Sequence, residues 1–222
     1  MVKKSIFTLL IFVFNVFFLT TSFATPPSIP DPKLLRDYHD SGQYHQDLHA
    51  IATKANDYLN QQVMQNKQSK NPKKLALVLD IDETTLSNYN NMSRRNFIGD
   101  KAQFEKEVNA ADAPAIKPML KLYQKALENK IDVFFITARG EAQTSATKKN
   151  LIRMGYTKWS GLYLKPKSYK QHSSKLFKTS VRQYLSKRGY TILATIGDQY
   201  CDLDGGYAMK SFKLPNPYYK LP

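Results

Sequence analysis

The stretch Leu75-Ala-Leu-Val-Leu-Asp80-Ile-Asp82-Glu83-Thr84 predicts both the fold and the place of the chemistry. Its continuous apolar run is typical of a strand covered on both faces of a sheet. Asp80 and Asp82 follow that run two positions apart, and extended residues at this spacing share one face. Ligands of open α/β sheets bind beyond the carboxyl ends of the strands, so the two carboxylates can converge there. Converging carboxylates repel each other, which indicates a cation or a shared proton. The alternative is a strand followed by an acidic, solvated loop.

Length and composition fit one globular domain. The chain has 222 residues, of which 42% are hydrophobic and 23% are charged, enough for a full core. The formal net charge of +15 attracts anions. The basic residues are spread along the chain, and the sequence has no helix-turn-helix, zinc knuckle or aromatic-basic RNA motif. We therefore expect no dedicated nucleic acid as partner, and a small anion of the size of a nucleotide stays open. The alternative is a basic surface that binds anions or nucleic acid without chemistry.

The first 24 residues have the pattern of a secretory signal peptide. Two lysines precede an apolar stretch from Ile6 to Leu19, and small residues around Ala24 suit a cleavage site. A retained membrane anchor is the alternative, but the stretch is short for a span. We expect a mature domain of residues 25–222, secreted or periplasmic, without membrane attachment after cleavage. Its proline-rich start, Thr25 to about Lys33, predicts an extended leader.

Strand-like and helix-like segments alternate along the rest of the chain. Strands are predicted at 75–79, 133–137, 161–164, 191–196 and 210–214, and helices at 44–64, 118–129, 141–154 and 176–187. This alternation predicts an α/β fold, a mostly parallel sheet with helices on both faces. Residues 89–115 are polar and interrupt the alternation. They predict a small cap inserted after the first strand, with a short helix at 101–108.

Polar side chains follow three of the predicted strands. The first strand ends at the two aspartates, the second at a threonine, and the fourth at another pair of acids, while a lysine starts the helix before the fourth strand; these residues are Asp80, Asp82, Thr137, Asp198, Asp202 and Lys178. The carboxyl ends of parallel strands meet at one crevice. Mg²⁺ prefers carboxylate oxygens, and a lysine offsets phosphate charge. The set therefore predicts Mg²⁺-assisted phosphoryl transfer with a carboxylate nucleophile.

The same residues resemble the four motifs of the haloacid dehalogenase (HAD) superfamily. Asp80-Ile-Asp82-Glu83-Thr84 looks like the first motif, Thr137-Ala138-Arg139 the second, Lys178 the third and Gly197-Asp198-Gln-Tyr-Cys-Asp202 the fourth. The closer resemblance is to the subfamily IIIB acid phosphatases, which include plant vegetative storage proteins and bacterial secreted phosphatases. It rests on residues 80–88, 178–182 and 189–199 and extends over nearly the whole mature chain. It implies a HAD-like Rossmannoid fold.

This resemblance implies a Mg²⁺-dependent acid phosphatase that hydrolyses phosphate monoesters through an aspartyl-phosphate. Asp80 would be the nucleophile, and Asp82 would protonate the leaving alcohol and then activate water. The Asp80 carboxylate, the Asp82 carbonyl and Asp198 would hold Mg²⁺. Substrate contacts would come from the Thr137 hydroxyl, the Ala138 amide and the charge of Lys178, while Asp202 would lie behind them, near Lys178 or a metal-bound water.

Three alternatives stay open on the sequence alone. Lys175 stands one helical turn before Lys178 and competes with it for the phosphate site. Arg139 is either a surface residue or a structural ion-pair partner. A storage protein that binds without turnover is the rival function, although some plant storage members lack the nucleophilic aspartate and this chain keeps Asp80. Nucleotides and sugar phosphates are both compatible with an open site under a small cap.

Overall fold

The computed structural model describes residues 31–169 and 173–221. The predicted signal peptide, residues 1–24, and most of the predicted leader lie outside the described residues. Within them the chain is already helical at Pro32, slightly before the leader was expected to end. The Asp31 side chain causes this early start, because it accepts a hydrogen bond from the Lys33 backbone N–H at 2.8 Å and caps the helix.

The described chain alternates helices and strands as expected. Its helices are α1 Pro32–Asp40, α2 Gln43–Gln68, α3 Tyr89–Arg94, α4 Lys101–Ala110, α5 Lys117–Glu128, α6 Thr144–Arg153, α7 Ser174–Lys187 and α8 Tyr200–Leu203. Its strands are β1 Lys74–Leu79, β2 Asp132–Gly140, β3 Gly161–Lys165, β4 Tyr190–Gly197 and β5 Lys210–Lys213. A single 3₁₀ turn, Glu141–Gln143, precedes α6 where the sequence predicted one continuous helix.

The strands form one five-stranded sheet in the order β3-β2-β1-β4-β5. Each neighbouring pair in the sheet runs parallel. The prediction of an α/β fold with a mostly parallel sheet is therefore confirmed. Since β1 is central, the residues that follow it lie in the middle of the sheet's carboxyl edge. The backbone N–H of Asp80 donates to the carbonyl of Ile196 in β4 at 3.0 Å, which ties that position to the neighbouring strand.

Helices cover both faces of the sheet, as the apolar runs predict. Alternate residues of β1 belong to two separate hydrophobic clusters. Leu77 and Leu79 pack in the larger cluster with α2 and α5. Ala76 and Val78 pack in the smaller one with α7. The alternation follows from the strand's period of two, and it explains why β1 is continuously apolar from Leu75 to Leu79.

The segment between β1 and α5 contains two short helices. The predicted helix at 101–108 is present as α4, whereas α3 was not predicted from its polar sequence. Tyr89 and Met92 bury one side of α3, and Asp100 caps α4 by accepting from the Gln103 N–H at 2.8 Å. Both helices border the crevice at the carboxyl edge. Among the described helices, none is both long and apolar enough to span a bilayer.

Candidate active site

A cavity of about 940 Å³ opens at the carboxyl edge of the sheet. The ends of β1, β2 and β4, helices α3 and α4, and the residues after β5 surround it. Six of the residues singled out in the sequence form part of its wall: Asp80, Asp82, Ala138, Arg139, Lys178 and Asp198. The strand ends therefore place the candidate groups in one crevice, as the topology predicted.

Lys178 links two buried carboxylates at the floor of the cavity. Its Nζ donates to Asp80 Oδ1 at 2.5 Å, and it also donates to Asp202 Oδ1. Burial lowers the pKa of Lys178, but the Asp202 and Asp80 carboxylates outweigh that effect and raise it. Lys178 is therefore fully charged. Burial and the Asp202 carboxylate raise the pKa of Asp80, and Lys178 acts against them.

Asp202 is held by the backbone around the end of β4. Its Oδ2 accepts from the Gln199 N–H at 2.8 Å, and its carbonyl accepts from Thr195 Oγ1 at 2.9 Å. Arg182, on the same helix as Lys178, donates to that carbonyl at 2.8 Å. Arg182 thereby explains the Lys178-to-Arg182 spacing noted in the sequence: the lysine contacts the carboxylate and the arginine contacts the backbone of one residue. The prediction that Asp202 lies near Lys178 agrees with this geometry.

Asp198 is held by three side-chain donors from three different parts of the chain. Its Oδ2 accepts from Gln199 Nε2 at 2.6 Å and from Asn216 Nδ2 at 2.7 Å, and its Oδ1 accepts from Thr84 Oγ1 at 3.1 Å. Burial and the Asp202 carboxylate raise the pKa of Asp198 to about 6, against the lowering effect of the two amides.

Asp82 faces Arg139 instead of the other acids. Arg139 Nη2 donates to Asp82 Oδ1 at 2.7 Å, and Nε donates to Oδ2 at 3.0 Å. Asn88 Nδ2 adds a third donor at 2.8 Å. Burial raises the pKa of Asp82, but Arg139 outweighs it, so the pKa lies below its ordinary value. Of the two open interpretations of Arg139, the structure supports an ion-pair partner, since its side chain is buried.

Glu83 adds a buried carboxyl that the sequence motif contains but that was given no role. It has a φ of 52°, a left-handed conformation unusual for a glutamate. Its Oε1 accepts from the Asn88 N–H at 2.6 Å, and its Oε2 accepts from the Tyr219 hydroxyl at 2.8 Å. Burial raises the pKa of Glu83 to about 8, and the Asp82 and Asp198 carboxylates act in the same direction. The Glu83 carboxyl therefore keeps its proton to a higher pH than an ordinary glutamate does.

The second motif divides between the cavity and the interior. Ala138 lies on the cavity wall. The Thr137 side chain is fully buried, and its Oγ1 accepts from the Arg139 backbone N–H at 3.2 Å. This contact lies in the last part of β2, where the pairing with β3 shifts register, next to the Arg139 side chain that reaches Asp82.

The competition between Lys175 and Lys178 is decided by their position on α7. Lys178 is 3% exposed and reaches the acids, whereas Lys175 is exposed and its Nζ donates to Asp204 Oδ2 at 3.0 Å. The two lysines therefore point to different environments, and Lys178 is the one at the candidate site.

The acids at the floor form a donor set suited to a divalent cation. Asp80, Asp198 and Asp202 are buried, and each offers an oxygen within 4.8 Å of the others. When all three are ionised, these carboxylates carry more negative charge than Lys178 alone balances, and Arg139 is already paired with Asp82. Hard carboxylate oxygens with an excess of negative charge fit Mg²⁺. The expected ligands were Asp80, Asp198 and the Asp82 carbonyl; the structure adds the Asp202 carboxylate to that neighbourhood.

Four residues of the site were given no role from the sequence. Glu83 lies in the first motif and Asn88 ends the stretch 80–88 that carries the subfamily resemblance, but neither position indicates its contact. Asn216 and Tyr219 follow β5, far along the chain from the residues that they contact. Only the fold brings that segment to the carboxyl edge.

Comparison with known proteins agrees with this geometry. Acid phosphatase 1 of Solanum lycopersicum is 35% identical over 148 residues, covering 65% of this chain and 58% of that protein. Vegetative storage protein 1 of Arabidopsis thaliana is 33% identical, covering 65% of this chain and 55% of that protein. The chain thus spans less than two thirds of the length of these curated relatives.

A solved structure has the same fold. The class C acid phosphatase from Bacillus anthracis superposes with a TM-score of 0.68 over 85% of both chains, at 21% sequence identity. The model of the HAD superfamily, subfamily IIIB (acid phosphatase), matches residues 22–222. Motifs, fold and family model coincide over the same residues, and the chain belongs to HAD subfamily IIIB.

Proposed function

We propose that this protein is a Mg²⁺-dependent acid phosphatase that hydrolyses phosphate monoesters through an aspartyl-phosphate at Asp80. The observation that carries the proposal is the position of Asp80. Its carboxylate lies on the cavity wall, in contact with charged Lys178 and within ligand distance of Asp198. A carboxylate placed there can attack phosphorus in line once its own charge and the phosphate charge are screened.

In the first step, an Asp80 oxygen forms a bond to phosphorus and the bond from phosphorus to the ester oxygen breaks. The leaving oxygen takes a proton from Asp82, the other acid at the end of β1. Lys178 offsets negative charge on the Asp80 side. A bound Mg²⁺, held by Asp80, Asp198 and the Asp82 carbonyl, would supply positive charge to the phosphoryl oxygens.

In the second step, water attacks phosphorus, Asp82 takes a proton from that water, and the bond to Asp80 breaks to release phosphate. Asp82 thus regains the proton that it donated to the leaving oxygen in the first step. Arg139 and Asn88 hold the Asp82 carboxylate from the side of β2 and α3, which limits its rotation. The Ala138 amide, on the cavity wall, is the proposed contact of the phosphoryl oxygens. A contact from the Thr137 hydroxyl, which is fully buried, stays a prediction from the sequence.

The substrate class is a small phosphate ester. A cavity of about 940 Å³ leaves room for the alcohol part of a nucleotide or sugar phosphate beside the phosphate itself. The basic net charge of +15 favours the approach of such anions. We further propose that the chain is exported, because its first residues carry the signal-peptide pattern.

Hydrolysis of p-nitrophenyl phosphate by residues 25–222 tests the proposal, with Mg²⁺ and with EDTA, from about pH 4 to about pH 8. Asp80→Asn should lower kcat by at least roughly a thousandfold, because it removes the nucleophile. Lys178→Met should lower kcat on the order of a hundredfold, because it removes the positive charge that lies next to Asp80. Lys175→Met, one turn away on the same helix, is the matched control and should keep wild-type turnover.

A storage or anion-binding role is the competing function, since storage proteins stand among the relatives. Folded, Mg²⁺-loaded wild-type protein without turnover on p-nitrophenyl phosphate and a panel of nucleotides and sugar phosphates would favour that role. Turnover that persists in Asp80→Asn would overturn the assignment of the nucleophile.

A further inference from the structure

The chain after β5 returns across the carboxyl edge of the sheet and closes one side of the cavity. Residues 215–221 form this segment, which we call the C-terminal strap. Two backbone groups anchor it to Gln199: the Tyr219 carbonyl accepts from Gln199 Nε2 at 3.3 Å, and the Leu221 N–H donates to Gln199 Oε1 at 3.1 Å. The Tyr218 ring stacks on Phe97 with a centroid distance of 5.5 Å.

Asn216 connects the strap to the metal-site acid. Its Nδ2 donates to Asp198 Oδ2 at 2.7 Å. Its Oδ1 accepts from the Tyr218 N–H at 2.9 Å, a local turn that fixes the amide plane. One end of the side chain is therefore held by the strap itself, and the other end is aimed at the carboxylate.

The hydrogen bonds of Asp198 divide unequally between its oxygens. Oδ2 accepts from both Asn216 and Gln199, whereas Oδ1 accepts only from Thr84 among the described residues. A carboxylate oxygen has about two lone-pair sites. Oδ2 is therefore saturated, and Oδ1 keeps a site for a cation.

We propose that Asn216 is a positioning residue that fixes the Asp198 carboxylate with Oδ1 directed to Mg²⁺. The inference rests on the proposed metal site, and it makes the strap part of that site. Without the Asn216 amide, Oδ2 loses one of its two donors and the carboxylate can rotate, so either oxygen competes for the cation. Partners behind a metal ligand affect metal affinity in this way by fixing its orientation.

The strap also contacts the site at a second point. The Tyr219 hydroxyl donates to Glu83 Oε2 at 2.8 Å, while Glu83 Oε1 accepts from the Asn88 backbone. The strap is thus fastened to two strand ends by residues that follow Asn216: to Gln199 after β4 and to Glu83 after β1. Its position depends on the sheet and not on Asn216 alone.

Isothermal titration calorimetry with MgCl₂ on EDTA-stripped protein tests the inference. Asn216→Leu removes the amide at nearly constant volume, and Asn216→Ser keeps a hydroxyl able to accept from the Tyr218 N–H but is too short to reach Asp198. Both variants should bind Mg²⁺ about 10-fold to 100-fold more weakly than wild type. Thermal melting in EDTA shows which variants are folded, and the affinity is measured on those.

Tyr44→Phe is the matched control. The Tyr44 hydroxyl is buried beside the strap, with its ring centroid 5.6 Å from that of Tyr218, and has no hydrogen-bond partner in the described part of the chain. Removing it should leave Mg²⁺ affinity unchanged. Wild-type affinity in folded Asn216→Ser would overturn the inference. Absence of Mg²⁺ binding by the wild type would instead overturn the metal site on which it rests.

Discussion

Arg139 lowers the pKa of the Asp82 carboxyl, which matters for the proposed reaction. Two guanidinium nitrogens contact its two oxygens, and the pKa of Asp82 lies below its ordinary value although burial acts to raise it. A general acid must carry its proton before it can donate. Since the protonated fraction falls as pH rises through the pKa, a lowered pKa places the donating form at low pH. The Arg139 contact therefore supplies a physical reason for activity on the acid side.

Replacing Arg139 with Met should move the high-pH limb of kcat/KM to higher pH. The substitution removes the main group that lowers the pKa of Asp82 and leaves burial opposed only by Asn88 and Lys178. The profile should be measured with an alkyl phosphate such as glycerol 2-phosphate, because its alkoxide needs the proton. The high-pH limb should move less with p-nitrophenyl phosphate, because its leaving group, p-nitrophenolate, needs little protonation. A limb that stays in place or moves to lower pH with the alkyl ester would contradict the role of Asp82 as the acid.

The joint between β4 and α8 sets the position of Asp202. A Cβ placed on Gly197 would lie 2.2 Å from the Asp202 Cβ, closer than side chains can pack. The fourth motif therefore needs glycine here for close approach, which lets the Asp202 carboxylate reach Lys178. The other glycine at a strand end of the site, Gly140 at the end of β2, has open space around a Cβ, so the steric need for glycine is specific to the end of β4.

Gly197→Ala should destabilise the protein by about 1–3 kcal/mol through overpacking, and should lower kcat by displacing Asp202 from Lys178. Urea unfolding and p-nitrophenyl phosphate kinetics measure the two effects. Gly140→Ala is the control for stability, since a Cβ there meets nothing within 4 Å. Unchanged stability and turnover in Gly197→Ala would show that Asp202 can relax without cost.

The strands of the fold could be predicted from the sequence, whereas several of the short helices could not. The strands of the sheet have continuous apolar runs bounded by polar residues, so their existence and order in the chain were predicted. Helices α1, α3 and α8 are short, and their start depends on individual caps and on burial of one or two side chains, which composition does not reveal. Lys178 was expected at the acids because its spacing to Asp202 matched a known motif, and in the structure its Nζ contacts Asp80 and Asp202.

Contacts that depend on the path of the chain were out of reach. Arg139 was considered only as a surface or salt-bridge residue, since its pairing with Asp82 requires β1 and β2 to be neighbours. Asn216 and Tyr219 lie beyond β5 and belong to no motif. Their approach to Asp198 and Glu83 follows from the return of the chain over the sheet, which no local pattern encodes.

The uncompensated charge of the buried acids affects the stability of the entire fold. Mg²⁺ that binds the native state and not the unfolded chain stabilises by about 2.7 kcal/mol when its concentration is 100 times Kd. For a domain of this size that corresponds to a Tm increase of roughly 5–10 °C over the EDTA-treated protein. Differential scanning calorimetry at matched ionic strength measures it. Asp198→Asn should lose most of the increase, and an equal increase in that variant would place the stabilising ion elsewhere.

The central place of β1 has a consequence for how the protein acquires its activity during folding. The partners of β1 are β2 and β4, and β4 lies far along the chain, so the parallel pairing that sets Asp80 beside Ile196 closes a long loop. Such non-local pairing is slow and occurs late. A chain with only its first half folded has Asp80 and Asp82 without Lys178, Asp198 or Asp202. The nucleophile and its charge partners therefore come together only when β4 pairs with β1, and a partly folded chain without that pairing has no competent active site.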